Sequence, residues 1–329
     1  WRLKAEPNLL PMPAIESLQL NTNDKIVLFR RLFRGRPDVY PIRWESKTTG
    51  KTGYAPACAN EWRVGICEKP RIKCSDCGHR LLIPLSDSVI YDHLAGEHAI
   101  GVYPLLSDDT CHFLAVDFDE AEWKEDAQAF LQSCHELGVP VALEVSRSGN
   151  GAHVWVFFAG SVPARDARRL GTAIISHTCA RTRQLKLSSY DRLFPNQDTM
   201  PKGGFGNLIA LPLQKRPREN GCSVFVDGTL RPYPDQWAFL ASIRAMSPQD
   251  IEPAILRLPG VGGVLLFGGQ ERRVIVEPDL NKLASRNMPV AELGSALGQE
   301  NRDARGGLLD EGERQFNVRT VGKFKSLDD

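Results

Sequence analysis

The sequence lacks any long hydrophobic run, and no apolar stretch approaches the roughly 20 residues that a membrane-spanning helix needs. It also lacks a signal-peptide pattern at its start, so we expect a cytoplasmic protein with no membrane partner. No internal repeat and no heptad pattern is present, which argues against solenoids and coiled coils. Charge of one sign is not in excess either: 41 basic and 40 acidic residues leave a net charge of +1. The overall charge therefore gives no sign of a nucleic-acid partner.

The composition is that of an ordinary globular protein, with 42% hydrophobic and 25% charged residues in 329. A chain of this length buries a sizeable core in one large domain or two smaller units. Its basic residues are grouped locally, although most such groups are solvated surfaces. The groups are Arg30, Arg31, Arg34 and Arg36; Lys69, Arg71 and Lys73; Arg165, Arg168 and Arg169; and Lys215, Arg216 and Arg218. They permit binding to a polyanion without establishing it.

Cysteines are the first residues that carry a chemical signal. Four of the eight, Cys58, Cys67, Cys74 and Cys77, fall within twenty residues. In a reducing compartment such crowding favours a metal site over disulfides. The C-x2-C spacing of Cys74 and Cys77 is typical of structural zinc sites, and four thiolates would close the tetrahedron. His93 is the main substitute if Cys58 does not reach, and the alternative is a scatter of buried thiols.

The pattern of the chain changes at Gly101. A short helix ending at Gly35 and a turn-rich stretch from residue 40 to 98 come before it, and alternating strands and helices follow. The expected strands are 111–117, 141–145, 153–158, 208–213 and 224–226, and the expected helices are 123–137, 164–182 and one carrying residues 237–243. This order predicts an α+β protein divided into an N-terminal segment with a zinc-binding module (1–100), a catalytic core (101–250) and a partly disordered C-terminal extension of unknown role (251–329).

Asp117 and Asp119 stand at the end of the first expected strand. Side chains two apart on a strand leave the same face, so the two carboxylates lie together while Val116 and Phe118 point into the core. Carboxylates this close repel each other unless a cation lies between them, and Mg²⁺ or Mn²⁺ prefers oxygen ligands. The pair predicts a site for two catalytic ions. The alternative is a polar strand end on the surface.

A glycine-rich turn, Ser148-Gly149-Asn150-Gly151-Ala152-His153, follows the second expected strand, 141–145, which we expect to lie beside the acidic strand. Glycines uncover backbone N–H groups for an approaching anion. His153 and Arg147 add side-chain donors for phosphate oxygens. The segment predicts a phosphate-binding turn, and the alternative is a simple hairpin with a half-buried histidine.

A third acidic ligand completes many metal sites of this kind. Asp198 precedes a glycine-rich segment, 202–207, and an expected strand, which makes it the leading candidate. Asp191 and Asp227 are its rivals. Asp227 also suits an Asp-Gly turn.

The motifs together resemble the archaeo-eukaryotic primase superfamily, and more narrowly the primase-polymerase domains of TOTE conflict systems and of CRISPR-associated primase-polymerases. The resemblance covers about residues 23–246. It is carried by residues 101–105, 113–119, 146–155, 189–198 and 206–214, in that order along the chain.

The resemblance implies a core with an RRM-like antiparallel sheet flanked by helices, three acidic metal ligands and a motif that holds the incoming nucleotide. Asp117 and Asp119 match the first motif, and Ser148 with His153 matches the second. The third motif in relatives is an aspartate before a strand, which favours Asp198, although Gln197 replaces the usual hydrophobic residue before it. The expected nucleotide-binding residues are Arg147, Ser148, Asn150, Gly151, His153, Lys202, Asn207 and Gln214.

The implied function is a DNA primase-polymerase that transfers nucleotides from an NTP or dNTP to a 3′ hydroxyl. Its expected partners are a single-stranded DNA template, a primer and the nucleotide, with CRISPR or helicase and nuclease proteins as further candidates. Its expected cofactors are two Mg²⁺ or Mn²⁺ ions and one structural Zn²⁺. The alternatives are a catalytically silent RRM-like module that binds nucleic acid, and a metal-dependent nuclease. The sequence carries no helicase or nuclease motif.

Overall fold

The structure, a computed structural model, describes residues 19–119, 121–182, 188–257, 304–311 and 314–320, the last two ranges by their backbone. The chain divides into two compact units, residues 1–270 and 271–329. Each unit is described by itself.

The first unit contains strands that overlap all five expected ones and helices that overlap the expected ones, together with further elements that the sequence did not predict. The helices are α1 (Thr22–Leu32), α2 (Asp87–Ala95), α3 (Trp123–Leu137), α4 (Ala164–Thr182), α5 (Lys215–Arg218), α6 (Gln236–Ser242) and α7 (Ile251–Leu256). The strands are β1 (Pro41–Glu45), β2 (Thr52–Pro56), β3 (Gly101–Val102), β4 (Thr110–Asp119), β5 (Ala142–Val145), β6 (Gly151–Pro163), β7 (Tyr190–Phe194), β8 (Ile209–Ala210) and β9 (Val224–Val226). The mixed α and β composition is confirmed.

A five-stranded sheet forms the centre of this unit, with the strand order β7-β4-β6-β5-β9 and antiparallel pairing throughout. The strand at 142–145 does not lie beside the acidic strand, so that expectation is wrong. The glycine turn joins β5 and β6 as a hairpin, and the longer β6 then pairs along its other edge with β4. The residues after the turn therefore lie next to the acids.

One face of the sheet packs against α3 and α4. Leu114, Val116 and Phe118 alternate along β4 toward this side and join a core in which Phe130 of α3 and Leu170 of α4 are almost fully buried. Val116 and Phe118 thus point inward as their spacing predicts. The buried alternate residues leave the intervening ones on the opposite face.

The opposite face packs against α1, α2 and α6. Phe113 and Ala115 of β4 and Trp155 of β6 line it. Phe33, which follows α1, meets the Trp155 ring edge-on with the centroids 5.0 Å apart. Burial of such aromatic rings helps to hold α1 against the sheet. The packing stops short of the end of β4, where Asp117 and Asp119 lie on this same face.

The cysteine-bearing segment is joined to the core through Arg80. The guanidinium of Arg80 donates to the carbonyl oxygens of Cys74 (3.2 Å) and Gly203 (2.9 Å). It also lies 5.1 Å from the centre of the Phe205 ring, on which Tyr103 stacks. The segment and the glycine-rich loop after Asp198 therefore share one anchor.

In the second unit, β10 (Ala304–Glu311) pairs antiparallel with β11 (Arg314–Thr320). The rest of the expected C-terminal extension beyond residue 257 lies outside the described residues. Among the helices that the structure describes, none is both long enough and apolar enough to cross a membrane.

Candidate active site

Strand register aligns a row of polar residues across the central sheet. Asp117 on β4 lies opposite His153 on β6 and Arg192 on β7, and His153 lies in turn opposite Glu144 on β5. Residues directly opposite each other in antiparallel strands share a face. The row therefore runs over four strands on the face that α1 covers only in part.

Three carboxylates meet at the end of this row. Oxygens of Asp117, Asp119 and Asp191 all lie within 4.8 Å of one another, and this is the one such group of possible metal ligands among the described residues. Asp117 is 9% exposed, while Asp119 and Asp191 are exposed. Hard divalent cations take several carboxylate oxygens in this arrangement, so the donor set fits Mg²⁺ or Mn²⁺.

A bulge in β7 brings Asp191 to this group. Asp117 pairs with Arg192 and Phe118 pairs with Tyr190, so Asp191 is an additional residue between two successive pairs. In a regular ladder it would lie opposite Phe118 and share the face of the core. A bulge bends the strand and redirects the side chain of the additional residue. This is how an acid on the neighbouring strand joins Asp117 and Asp119.

Asp198, the expected third ligand, is not in the group. Its carboxylate is instead paired with the guanidinium of Arg168, a buried residue of α4. A buried arginine needs such a partner, because an unpaired charge in the interior is costly. Asp227 is used in a turn, where it accepts hydrogen bonds from Thr229 and from the backbone N–H of Arg231. The geometry therefore favours the rival candidate, Asp191.

The local electrostatics disfavour a negative charge on Asp117. Burial raises the pKa of its carboxyl from the usual 3.8 to about 6, and the charges of Asp119 and Asp191 act in the same direction. His153 opposes them, with its Nε2 atom 3.5 Å from an oxygen of Asp117. Arg192 also opposes them and donates to Asp191 at 2.6 Å, and a divalent cation among the three acids would remove the remaining repulsion.

The glycine-rich segment is a hairpin turn between β5 and β6, and phosphate binding by it stays a prediction. The N–H of Ser146 donates to the Gly151 carbonyl at 2.8 Å, which closes the hairpin, and Gly149 has φ +77°, a conformation that suits glycine. The Ser148 hydroxyl accepts from the N–H of Asn150 at 3.2 Å. Arg147, Ser148 and Asn150 are exposed at the tip. Their donors stand next to the acids across the β4–β6 pair.

Gly151 is also needed for a steric reason. It pairs directly with Asp119, and a Cβ atom at this position would lie 2.4 Å from the carboxylate of Asp119 and 2.5 Å from the Phe118 carbonyl oxygen. No side chain fits there without moving the acid. Gly151 thus acts through its lack of a side chain.

His153 is held by a residue that the sequence did not single out. Its Nδ1 atom lies 2.9 Å from Oε2 of Glu144, which is 2% exposed, and the same oxygen accepts from Nε1 of Trp155 at 2.9 Å. Burial lowers the pKa of His153, but Glu144 and Asp117 outweigh it and raise the pKa to about 9. The imidazole is therefore positively charged at neutral pH. The only sequence signal for Glu144 was a charged residue inside an otherwise apolar strand.

The sequence also missed the hairpin formed by β1 and β2. Arg43 and Tyr54 are direct partners in its register. Burial raises the pKa of Tyr54, the charge of Glu144 acts in the same direction, and the charges of Arg147 and Arg43 oppose it. Arg43 is itself paired with Glu45 at 3.0 Å.

Three other expected nucleotide contacts differ in their surroundings. Asn207 accepts from the N–H of Asn196 (3.2 Å) and supports the loop after β7. Gln214 is buried, caps α5 and donates to the His98 carbonyl at 3.3 Å. Lys202 lies in the exposed loop, next to the Gly203 carbonyl that Arg80 binds. The contacts of Asn207 and Gln214 are structural ones within the protein.

The four clustered cysteines line one cavity of about 20 Å³, together with His79. Within the part of the chain that the structure describes, no three of their sulfur atoms lie within 4.8 Å of one another. His93 is elsewhere: its Nε2 contacts the Pro212 carbonyl at 2.9 Å, and its Nδ1 accepts from the Ile100 N–H at 3.2 Å. Both ring nitrogens are engaged in the core, so His93 does not serve as a substitute ligand.

Comparison with known protein families identifies the family of this chain. Residues 24–254 match the model of the archaeo-eukaryotic primase domain of TOTE conflict systems. The chain belongs to this family. The matched range contains the three acids, the glycine turn and the four clustered cysteines. Membership of the family supports a function of the primase or polymerase type.

Two solved structures resemble the primase-family chain at low sequence identity. The polymerase domain of Mycobacterium tuberculosis ligase D, in complex with DNA, is 13% identical, with a TM-score of 0.37 over 72% of this chain and 88% of that one. The archaeo-eukaryotic primase domain of the cyanophage S-2L primase-polymerase is 12% identical, with a TM-score of 0.28 over 67% of this chain and 97% of that one.

The C-terminal residues resemble a different family. Residues 225–329 match the model of the AcrB/AcrD/AcrF family. The nickel and cobalt resistance protein CnrA of Cupriavidus metallidurans is 30% identical over 95 residues, which is 29% of this chain and 9% of that protein. The chain thus spans about a tenth of the length of the curated relatives that it matches.

The assignment of the third acid is tested by two matched substitutions. We expect Asp191→Asn to weaken Mn²⁺ binding about tenfold or more, since one of three clustered carboxylates is lost. Asp198→Asn should leave the affinity within about threefold, because its carboxylate contacts Arg168. Both affinities are measured by titrating the metal-free protein with Mn²⁺ and recording the rise in its melting temperature. If Asp198→Asn weakened Mn²⁺ binding and Asp191→Asn did not, Asp198 would be the third ligand.

The raised pKa of Asp117 predicts a pH-dependent cost in the metal-free protein. The folded state favours the protonated acid, so this cost appears as the pH rises from about 4 and is complete above about 6. Asp117→Asn should therefore stabilise the protein in EDTA. We expect the free energy of unfolding to rise by about 1–3 kcal/mol at pH 7.5 and by less at pH 5, measured through the melting temperature. Asp119→Asn, at an exposed position, is the control. A loss of stability at pH 7.5, or an equal change at both pH values, would contradict this prediction.

Proposed function

We propose that this chain is a template-directed DNA primase-polymerase, which joins an NTP or dNTP to a 3′ hydroxyl and releases pyrophosphate. The observation that carries the proposal is the grouping of Asp117, Asp119 and Asp191 within 4.8 Å, next to the turn that leads to His153. A cluster of acids suits divalent cations, and a turn rich in donors suits a triphosphate. A nucleotide with its metal ions needs both at once.

The three carboxylates are proposed to hold two Mg²⁺ or Mn²⁺ ions. When bound, such a pair of ions lowers the pKa of the 3′ hydroxyl and offsets the charge that develops on the leaving pyrophosphate. The contribution of the chain is the rigid placement of the ligands. Asp117 and Asp119 are fixed by the β4–β6 register, and Asp191 is fixed by its bulge.

The donors beside the acids are proposed to bind the triphosphate. His153 carries positive charge toward the site, Arg147 offers a fork of N–H donors, and Ser148 and Asn150 lie at the exposed tip of the turn. In the reaction a bond forms between the 3′ oxygen and the α-phosphorus, and the bond from that phosphorus to the bridging oxygen breaks. The electron pair leaves with pyrophosphate, and the hydroxyl proton passes to solvent.

The proposed partners are a single-stranded DNA template and a primer end. Arg43 and Tyr54, cross-strand partners on the β1–β2 hairpin, are proposed to contact the nucleic-acid strand, and Arg43 would exchange Glu45 for a phosphate. The family name points to conflict systems, and a CRISPR-associated or defence setting is part of the proposal. Helicase or nuclease proteins are its further candidate partners.

The test is an extension assay with a labelled primer, a single-stranded template, Mn²⁺ and either NTPs or dNTPs. We expect template-dependent lengthening of the primer, and a parallel reaction without primer determines whether the chain also starts strands. The double variant Asp117→Ala with Asp119→Ala should reduce extension at least a hundredfold, because the acids hold the ions. Asp108→Asn, near the opposite end of β4, is the matched control and should retain activity.

Each alternative function gives a distinct result in the same assay. Shortening of the labelled strand indicates a nuclease. Binding of the strand by the protein without any change in its length indicates a silent nucleic-acid-binding module. Either result with the intact chain overturns the proposal. Full extension by the double variant would overturn the site assignment alone.

We further propose that Cys58, Cys67, Cys74 and Cys77 hold a structural Zn²⁺ ion. The shared cavity supports this, as does the 3.3 Å hydrogen bond from the Leu81 N–H to the sulfur of Cys58, since thiolate ligands commonly accept such bonds. In this reading residues 1–100 are a supporting segment with the zinc module, residues 101–250 are the catalytic core that contains the whole central sheet, and residues 251–329 are an extension whose role is open.

Metal analysis of the purified chain tests the zinc proposal. We expect about one zinc per chain, and loss of that zinc in the double variant Cys74→Ser with Cys77→Ser, because two thiolates of the tetrahedron are removed. Cys222→Ser, outside the cluster, should keep the metal. A chain that contains no zinc after expression with zinc supplied would contradict the module.

A further inference from the structure

Glu144 is a buried carboxylate within the central sheet. It is 2% exposed and lies on β5, on the face lined by Trp155 and other aromatic side chains. A carboxylate in such a position is costly unless hydrogen bonds compensate it. The role of Glu144 is therefore to be sought in its partners.

One oxygen of Glu144 serves two partners on the neighbouring strand. Oε2 lies 2.9 Å from Nδ1 of His153 and 2.9 Å from Nε1 of Trp155. Residues 153 and 155 are two apart on β6, so their side chains leave the same face. The His153 ring also meets the Trp155 ring edge-on, with the centroids 5.8 Å apart. The three side chains form one connected unit.

Trp155 cannot turn away from this unit. Its side chain is fully buried, stacks on Phe157 at an interplanar angle of 3° and meets Phe33 edge-on at 5.0 Å. An indole N–H donates and does not accept, so it fixes the position of the carboxylate oxygen. The carboxylate in turn fixes the imidazole ring.

The contact with Glu144 also determines which edge of His153 faces the site. An ionised carboxylate only accepts hydrogen bonds, so Nδ1 carries the hydrogen that Glu144 binds. The other nitrogen, Nε2, is then directed toward Asp117, at 3.5 Å. Rotation of the ring by half a turn would remove this nitrogen from the acids and break the bond to Glu144.

We propose that Glu144, braced by Trp155, is a positioning residue that fixes the ring of His153 for binding the triphosphate. The proposal rests on the proposed nucleotidyl transfer, since His153 is assigned there to the incoming nucleotide. Glu144 itself touches neither substrate nor metal. It acts through the histidine, which makes its effect dependent on His153.

A spectroscopic experiment tests the contact without any activity. The chain is labelled with ¹⁵N-histidine in the metal-free state, and His153→Ala identifies the resonances of His153. We expect Glu144→Gln to shift the Nδ1 resonance of His153, because a charged acceptor is replaced by an amide, and Trp155→Phe to shift it less. Unchanged His153 resonances in Glu144→Gln would overturn the proposal.

Nucleotide kinetics test the consequence. Glu144→Gln should raise the KM for the incoming nucleotide about tenfold or more, with a smaller change in kcat, because binding of the triphosphate is what the ring orientation serves. In a His153→Ala background the same substitution should change KM less than twofold, since residues that act through one another are not additive. Thr178→Val, a buried polar substitution remote from the site, is the control for altered packing.

The outcomes separate the two proposals. If the intact chain extends no primer, the proposed function fails, and the histidine resonances still decide the contact. If the intact chain extends primers and Glu144→Gln keeps the original KM, or loses as much in the His153→Ala background as alone, the positioning role is wrong. Trp155→Phe, which keeps the carboxylate and removes one donor, replaces Glu144→Gln if that variant does not fold, and it should raise KM in the same direction.

Discussion

The antiparallel register between β4 and β6 is the constraint on which the site depends. It sets Asp117 opposite His153 and Asp119 opposite Gly151, and the β5–β6 hairpin adds Glu144 in the same row. These pairings are made by backbone hydrogen bonds, and a shift by one residue would exchange the two faces of the strand. The buried Val116 and Phe118 resist such a shift, so the packing of the core also holds the polar residues in place.

Opposite charges alternate along this row, from Arg192 on β7 through Asp117 and His153 to Glu144 on β5. The acids gather toward β7, where Arg192 stands beside them and donates to Asp191 at 2.6 Å. His153 occupies the centre between Asp117 and Glu144, both of which favour its charged form. Each charged group in the row therefore has an opposite charge beside it, and the three clustered acids lie next to a histidine.

Sequence reasoning succeeded where the information is local. The shared face of Asp117 and Asp119 follows from the two-residue period of a strand, and the tight turn before His153 follows from its glycines. The third acid did not follow, because the meeting of Asp191 with the pair depends on a bulge, which is a property of how two strands pair. Asp198 looked suitable by its position before a strand, yet it is taken by an arginine thirty residues earlier in the chain.

The partners of Glu144 illustrate the same limit. They stand nine and eleven residues further along the chain, beyond a turn, so no local pattern connects them. The expected order of strands was wrong for a related reason: two successive strands formed the hairpin, and the longer second strand became the neighbour of the acids. Periodicity predicts which face a residue occupies, and it does not predict which strand lies alongside.

The missing side chain of Gly151 has a consequence for any attempt to re-engineer this site. Since a Cβ atom would displace the carboxylate of Asp119, the turn and the acid cannot be exchanged separately. A graft of the turn that carries any larger residue at this point would cost the acid its position, whatever it added in contacts to phosphate. Any substitution that adds a side chain at residue 151 would therefore act on both halves of the site at once.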